Sequence, residues 1–300
     1  MRTLIVGGNG FVGSHLTPFL VEKGFDVTVM ARRPDRGARL PSEVKMLAAD
    51  ATKPGEWQTQ VPTFDLLINL AGVSVFRRWD ESYKKLLRDT RILTTRHLVE
   101  AIPSDAKRKI TLINTSGSGI YGAAGDEELS ESAPLGSDFL SHLARDWEAE
   151  AYKAEEKGVR VLTTRFGIIL GKGGGALTQM TLPFKFFAGG PIGSGRQWVP
   201  WMHVKDLCRA ELFLIEHEHI RGPVNFSAPS PVRNVDLGKA IGKALGRPSF
   251  LPAPSFMIKL VLGEFGSVIL EGQRAIPKVL LDNGFRFEFP TIDEALKDLL

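Results

Sequence analysis

One cysteine, Cys208, occurs in 300 residues, which excludes a disulfide framework and a cysteine-based zinc site. Its neighbours, HVKDLCRAELFL, read as a helix, so a packed thiol is expected there rather than a nucleophile. No apolar run reaches the ~18 residues that a membrane-crossing helix needs, so no such span is expected. No tract of lysine and arginine is interleaved with aromatics, and the formal net charge is only +4, so nucleic acid is not an expected partner. No spacing of His, Asp or Glu suggests a metal, and none is expected. The first strand-like run starts at about the third residue, leaving no room for a leader peptide, so a cytoplasmic setting is the expectation. A monomer or a homodimer is expected. Tyrosine is scarce as well: Tyr83, Tyr121 and Tyr152 are the whole supply.

The chain is 43% hydrophobic, enough for a packed core in one or two domains. Apolar strand-like runs appear at TLIVG, DVTVMA, VKMLAA, DLLINLAG, KITLINTS and VRVLTTRFG. Helix-length segments separate several of them, notably 80–102 and 138–157. Strands alternating with helices predict βαβ units and a parallel sheet, and near-continuous apolar strands predict cover on both faces. After Gly171 the pattern changes to Gly-, Trp- and Pro-rich segments. A helix near 204–216 and the strand PVNFSA return to the sheet, and the chain from Pro229 is helical with Pro-bounded breaks. The expected division is a nucleotide-binding domain over 1–170 plus about 201–228, and a smaller substrate lobe over about 171–200 and 229–300.

The segment GGNGFVG stands after a strand and before a helix. In that position Gly7 permits the tight turn, Gly10 lets backbone approach a pyrophosphate, and Gly13 allows close helix packing. The helix amides and dipole then favour phosphate. The end of the second strand chooses between nicotinamide cofactors. An NAD site places a carboxylate there for the ribose 2′-hydroxyl. This chain has Ala31-Arg32-Arg33, and a guanidinium forks onto a 2′-phosphate. Arg32 is the first candidate and Arg33 the second, so NADP(H) is the expected cofactor. Asp50 either accepts from the adenine amino group or is a turn residue.

These residues resemble the extended short-chain dehydrogenase/reductase superfamily. GGNGFVG is similar to its glycine loop, NLAG (69–72) to the motif after the fourth strand, TSGSGIYG (115–122) to the fifth-strand motif, and WMHVKD (201–206) to a late strand-to-helix motif. The fit is closest to an atypical epimerase-like subfamily, also labelled cell-division-inhibitor-like. RRW at 77–79, RFGIILGKGGGAL from Arg165, GGPIGSGRQW from Gly189, GPVNFSAPSPV from Gly222 and PKVLLDNGFRF carry that likeness. The resemblance implies a Rossmann-type α/β fold with a doubly wound parallel sheet, NADP binding and a small C-terminal substrate lobe. It implies cofactor contacts from Gly7, Asn9, Gly10, Phe11, Val12 and Gly13, from Arg32 and Arg33, and from Asp50 and Ala51. Further contacts are expected from Leu70, Ala71, Gly72, Arg91, Ser116, Phe166, Gly167 and Ile168. It names no substrate.

The superfamily's usual acid/base pair is Tyr-x-x-x-Lys on the helix after the fifth strand, where the ammonium lowers a phenol pKa from near ~10. Here Tyr83 has Leu87 four residues on, Tyr121 has Gly125 and Tyr152 has Glu156. Leucine and alanine stand near the expected positions. Ser116 is the nearest match to the superfamily's catalytic serine, with Ser118 the alternative, though both suit ordinary turn chemistry. Tyr121 either presents its phenol to the pocket or packs its ring beneath the loop. Glu148 is expected on a solvated helix face, with a buried, proton-holding role as the alternative. His142 is expected to face solvent, His203 to be packed, and Asp206 to start a helix. Arg77, Arg78, Arg91, Lys172 and Arg196 fall in motif segments bordering the cleft, where a cation cluster would suit an anionic substrate or the cofactor phosphates. Trp198 and Trp201 either wall the pocket or belong to the core. Two functions compete: an NADP(H)-dependent oxidoreductase or epimerase acting on an unidentified small molecule, and a non-catalytic NADP(H)-binding sensor or scaffold. An ordinary nucleotide-sugar epimerase is disfavoured by the missing pair.

Overall fold

The computed structural model of the protein describes residues 1–34, 40–104 and 109–300. Seven strands form one parallel sheet: β1 (Arg2–Val6), β2 (Asp26–Ala31), β3 (Lys45–Ala48), β4 (Leu66–Asn69), β5 (Thr111–Gly117), β6 (Arg160–Phe166) and β7 (Gly222–Phe226). Their spatial order is β7-β6-β5-β4-β1-β2-β3. The chain thus moves outward from β1 in one direction, then returns and moves outward in the other. Register aligns the strand ends: Val6 pairs with Met30 on one side and Asn69 on the other, Asn69 pairs with Asn114, and Ser116 pairs with Arg165. Gly7, Arg32, Leu70, Gly117 and Gly167 therefore all emerge along one edge of the sheet. The crevice where strand order reverses lies between β1 and β4, the place where such sheets bind ligands.

Both faces are covered, as the apolar strands predict. Helices α1 (Phe11–Glu22) and α5 (Val204–Glu216) bury Leu16, Leu20, Leu207 and Leu214 against Ile5, Val29 and Ile68. Helices α2 (Glu81–Glu100) and α3 (Phe139–Tyr152) cover the opposite face. There Leu98, Val99 and Ala151 pack with Leu4, Leu67 and Leu112. Asp80 and Asp138 start α2 and α3 by accepting from the amides of Tyr83 and Ser141.

Beyond β6 the chain adds α4 (Gly175–Lys185) and, after β7, α6 (Asn234–Leu245), α7 (Ser255–Leu262), α8 (Glu264–Leu270), α9 (Lys278–Asp282) and α10 (Ile292–Leu299). Leu177, Phe184, Leu237, Ile241, Leu296 and Leu299 form a separate core around Trp201. The C-terminal chain also returns to the sheet, since Leu280 and Phe285 join the core beneath α1 and α5. Asp206 clamps that return. Fully buried, it accepts from the amides of Glu288 and Phe289, each at 2.8 Å, and from Arg209. The residue that starts α5 is instead His203, whose Nδ1 accepts from the Lys205 amide at 3.0 Å.

The buried, unpaired carboxyl group of Glu211 in α5 sets a pH dependence. Glu211 is fully buried, neither carboxyl oxygen has a hydrogen-bond partner among the described residues, and burial pushes its pKa up to about 8. The folded chain holds this proton more tightly than the unfolded chain, whose glutamates titrate near ~4.3. Stability from this group is therefore full below that value and declines as pH rises, until the loss is complete above about 8. The total is on the order of 5 kcal/mol. The Glu211→Gln variant should lack this decline. Urea melts at pH 5 and pH 8.5 should show wild type losing more stability between the two than the variant; parallel losses would place the pH dependence elsewhere.

Candidate functional site

The loop between β1 and α1 is shaped by its glycines. Gly7 has φ +78°, the left-handed region, and a Cβ there would stand 3.3 Å from the Ala71 backbone. The β1 and β4 loops thus touch at the switch point. A Cβ on Gly13 would lie 2.4 Å from the Gly8 backbone, so the helix sits directly on the loop. Gly10 differs: its φ is −78°, and a Cβ there would meet only the Gly7 carbonyl, at 3.2 Å. It faces open space. No side chain caps α1, so its first amides are left to a ligand. This cradle fits a dinucleotide pyrophosphate.

At the adenosine end, Arg32 and Arg33 are exposed at the end of β2, and the Arg33 carbonyl accepts from Asn9 Nδ2 at 3.2 Å. Asp50 is half-buried and accepts from the Thr52 amide and hydroxyl at 3.1 and 2.7 Å. Burial works to raise the Asp50 carboxyl, but the Thr52 hydrogen bonds and the nearby Arg32 charge hold it below the usual range. Two exposed guanidiniums beside a structured turn suit a 2′-phosphate. Ala51 is buried beneath that turn.

Along the same edge, beside Leu70, Ala71 and Gly72, a cavity of about 600 Å³ opens. Ser116, Ser118, Phe166, Gly167 and Ile168 line it, as do residues of α3, α4, α7 and α8. The Ser116 and Thr115 hydroxyls are buried and have no hydrogen-bond partner among the described residues. The unpaired Ser116 hydroxyl in an apolar wall is costly unless a ligand meets it. Beneath the Leu70–Gly72 loop, Asn69 ties the strand ends together. It donates to Asn114 Oδ1 and Thr95 Oγ1 at 2.7 and 2.9 Å and accepts from the Ala71 amide at 3.1 Å. Among the described residues no group of three or more His, Cys, Asp or Glu is placed to hold a metal ion.

Residues 3–226 match the NAD dependent epimerase/dehydratase family. The chain belongs to that family. Residues 253–299 match a domain of unknown function, DUF1731. Epimerase family protein YfhF of Bacillus subtilis is 40% identical over 302 residues, covering 100% of this chain and 98% of its own. The crystal structure of human epimerase family protein SDR39U1, isoform 2, with NADPH superposes with a TM-score of 0.87 at 34% identity, covering 100% of this chain and 99% of that one. Thermus thermophilus UDP-glucose 4-epimerase, in complex with NAD, shares the fold at TM-score 0.79 and 18% identity, covering 99% and 97%.

In this member of the epimerase/dehydratase family, Leu140 and Ala144 of α3 line the cavity, four residues apart on one helical face. Of the two arrangements open to Tyr121, a phenol presented to the pocket or a ring packed beneath the loop, the packed one is found. Its hydroxyl donates to Asn225 Oδ1 at 2.7 Å and accepts from Arg165 at 2.9 Å, and its ring packs with Ile120, Leu129 and Ala144. Burial raises its pKa further. Glu148 is not solvated either: it is buried in a bidentate pair with Arg165, at 2.8 and 2.9 Å. Tyr152 bonds Thr163, and burial pushes its phenol up to about 12. His203 stacks on Phe289, and burial pushes it down to about 4, so it is neutral at pH 7. His142 is exposed, and Cys208 is a buried thiol pushed up to about 12.

The expected cation cluster is dispersed. Among the five cations Arg91 alone lines the cavity. Its guanidinium donates to the Leu87 and Val73 carbonyls at 3.1 and 3.0 Å and lies over Trp147, and burial pushes it down to about 10. It supports Gly72, whose Cβ would stand 3.0 Å from its Cζ. Arg77 lies over the Tyr83 ring and Arg78 donates to the Leu260 carbonyl. Lys172 is exposed, and Arg196 borders a separate depression with Asp126 and Arg233. Trp198 walls the cavity while Trp201 is core. Thr115 and the apolar walls from α4, α7 and α8 escaped sequence reading. The signal available was α7 itself, SFMIKLVL, which is too apolar for a solvated helix.

Proposed function

We propose that the protein binds NADP(H) and reduces or oxidises a small carbonyl or hydroxyl compound in the cavity over Ser116. The unpaired Ser116 hydroxyl, buried at the strand edge where the two dinucleotide loops converge, carries this reading. Gly7, Asn9, Gly10, Phe11, Val12 and Gly13 would hold the pyrophosphate, Arg32 and Arg33 the 2′-phosphate, and Asp50 and Ala51 the adenine. Leu70, Ala71 and Gly72, shaped by Arg91, and Phe166, Gly167 and Ile168 would flank the nicotinamide. When bound, NADPH supplies a hydride. The chain's own part is positional: Ser116 Oγ–H would donate to the substrate oxygen, and the proton that completes the alcohol would come from solvent at the cavity mouth. NADPH bound by the human relative supports the choice of cofactor. The buried Cys208 suits a reducing, cytoplasmic setting, and residues of about 171–200 and 229–300 would form the substrate lobe.

The second reading, an NADP(H)-binding sensor without turnover, is favoured by the leucine and alanine, Leu140 and Ala144, that line the cavity near the positions expected for the acid/base pair. Kinetics separates the two. Under the first reading, Ser116→Ala should lower kcat by roughly tenfold to hundredfold across a carbonyl panel while leaving NADPH affinity within about twofold, because its contact is to substrate. Turnover unchanged by Ser116→Ala would remove the serine from the chemistry. No turnover in wild type with NADPH bound would leave the sensor.

A further inference from the structure

We infer that the ligand of this cavity is an elongated apolar carbonyl compound, its oxygen at Ser116 and its hydrocarbon body between α4 and α7–α8; this rests on the NADP(H) reading above. Charge makes the first half of the case. Among the described residues lining the cavity only Arg91 and Glu271 are ionisable as a cation or a carboxylate. Arg91 already donates from both terminal nitrogens to backbone carbonyls, and Glu271 repels anions. A nucleotide diphosphate brings two negative charges that need cations or a free helix N-terminus, and the one uncapped at this edge, that of α1, is taken by the cofactor pyrophosphate in the reading above. The cavity has no unspent cation to meet them.

Shape and polarity make the second half. At the strand edge the buried Ser116 hydroxyl is unpaired, and the other uncharged polar side chains that line the cavity include Gln179, Asn234 and Gln273, with Asn234 Oδ1 already accepting from the Ile192 amide. Away from that edge the wall is Met180 and Phe184 of α4, then Ile258, Leu262 and Phe265 of α7 and α8. The apolar surface continues outward past the cavity mouth. Helix α7 buries none of its residues, and Phe186, Phe256 and Leu260 are 75%, 71% and 71% exposed. A molecule with one acceptor oxygen and a hydrocarbon tail satisfies the Ser116 hydroxyl and covers the apolar wall together; a sugar would leave hydroxyls unpaired against Met180 and Phe265.

The test is calorimetry with 2-alkanones from 2-pentanone to 2-undecanone, and with UDP-glucose, on the protein with and without saturating NADPH. Affinity should tighten about fourfold per methylene until the cavity is filled, and UDP-glucose should bind more weakly than 2-undecanone. Met180→Glu, which puts a carboxylate against the tail, should flatten the series for the longer ketones; Met180→Leu should keep it. NADPH titrations of both variants check that the fold is intact. A flat series in wild type, or tighter binding of UDP-glucose, overturns the inference even where NADPH binds well. Failure of NADPH to bind while the ketone series persists would overturn the cofactor reading and leave the apolar ligand standing.

Discussion

Gly10→Val should abolish NADPH binding, weakening it by more than about a hundredfold, in a protein that melts within about 2 °C of wild type. The backbone at Gly10 has φ −78°, which valine adopts freely. Its added Cβ would press only on the Gly7 carbonyl at 3.2 Å, and the branches would fill the open space in front of α1. That space is where the pyrophosphate must sit, so the loss falls on the ligand. Gly13→Val is the contrast. Its Cβ would stand 2.4 Å from the Gly8 backbone, so fold and binding should fail together. Fluorescence titration with NADPH beside thermal melts separates the two. Normal affinity in folded Gly10→Val would place the dinucleotide elsewhere.

Arg165→Met should cost about 3–5 kcal/mol of stability, the usual penalty for stranding a buried charge. Arg165 holds Glu148 with two hydrogen bonds and also donates to Tyr121 Oη at 2.9 Å and the Glu131 carbonyl at 3.0 Å. Asn225 extends the network by accepting from Tyr121 and donating to the Leu129 and Ile276 carbonyls. The pair therefore ties α3 and β6 to β7 and to the chain entering the C-terminal region. Removing the arginine alone leaves a carboxylate with no partner in a dry site. Replacing both charges, Glu148→Gln with Arg165→Met, should recover most of the loss, because no charge is then stranded. Urea unfolding of the two single variants and the double variant closes the cycle. A double variant no more stable than Arg165→Met would show that packing, not charge, dominates there.

Local pattern and register account for what was legible in the sequence. The six strand runs and the glycine loop are visible because apolar period and glycine spacing are properties of adjacent residues. Parallel register then carries Gly7, Arg32, Leu70 and Gly167 to one edge. Glu148 was misplaced on solvent because its partner Arg165 lies on a strand that only tertiary packing brings alongside α3. Tyr121 sits beside a motif, yet its hydroxyl is turned to Asn225, 104 residues away. Asp206 stands where a helix begins, but the groups it satisfies belong to Glu288 and Phe289. The cation cluster dissolved for the same reason. Being near a motif places a backbone, while the carbonyls and rings that claim Arg77, Arg78 and Arg91 come from the fold. The apolar cavity was the least visible part, since its walls come from segments far apart in the chain.

The central claim is that the strand-edge crevice is an NADP(H) site whose 2′-phosphate is read by Arg32. Calorimetric titration of wild type with NADPH and with NADH tests it most directly. A charge-assisted hydrogen bond of about 1.5–3 kcal/mol predicts NADPH binding roughly tenfold to hundredfold tighter, with most of that preference lost in Arg32→Ala. Equal affinity for the two cofactors in wild type would contradict the account.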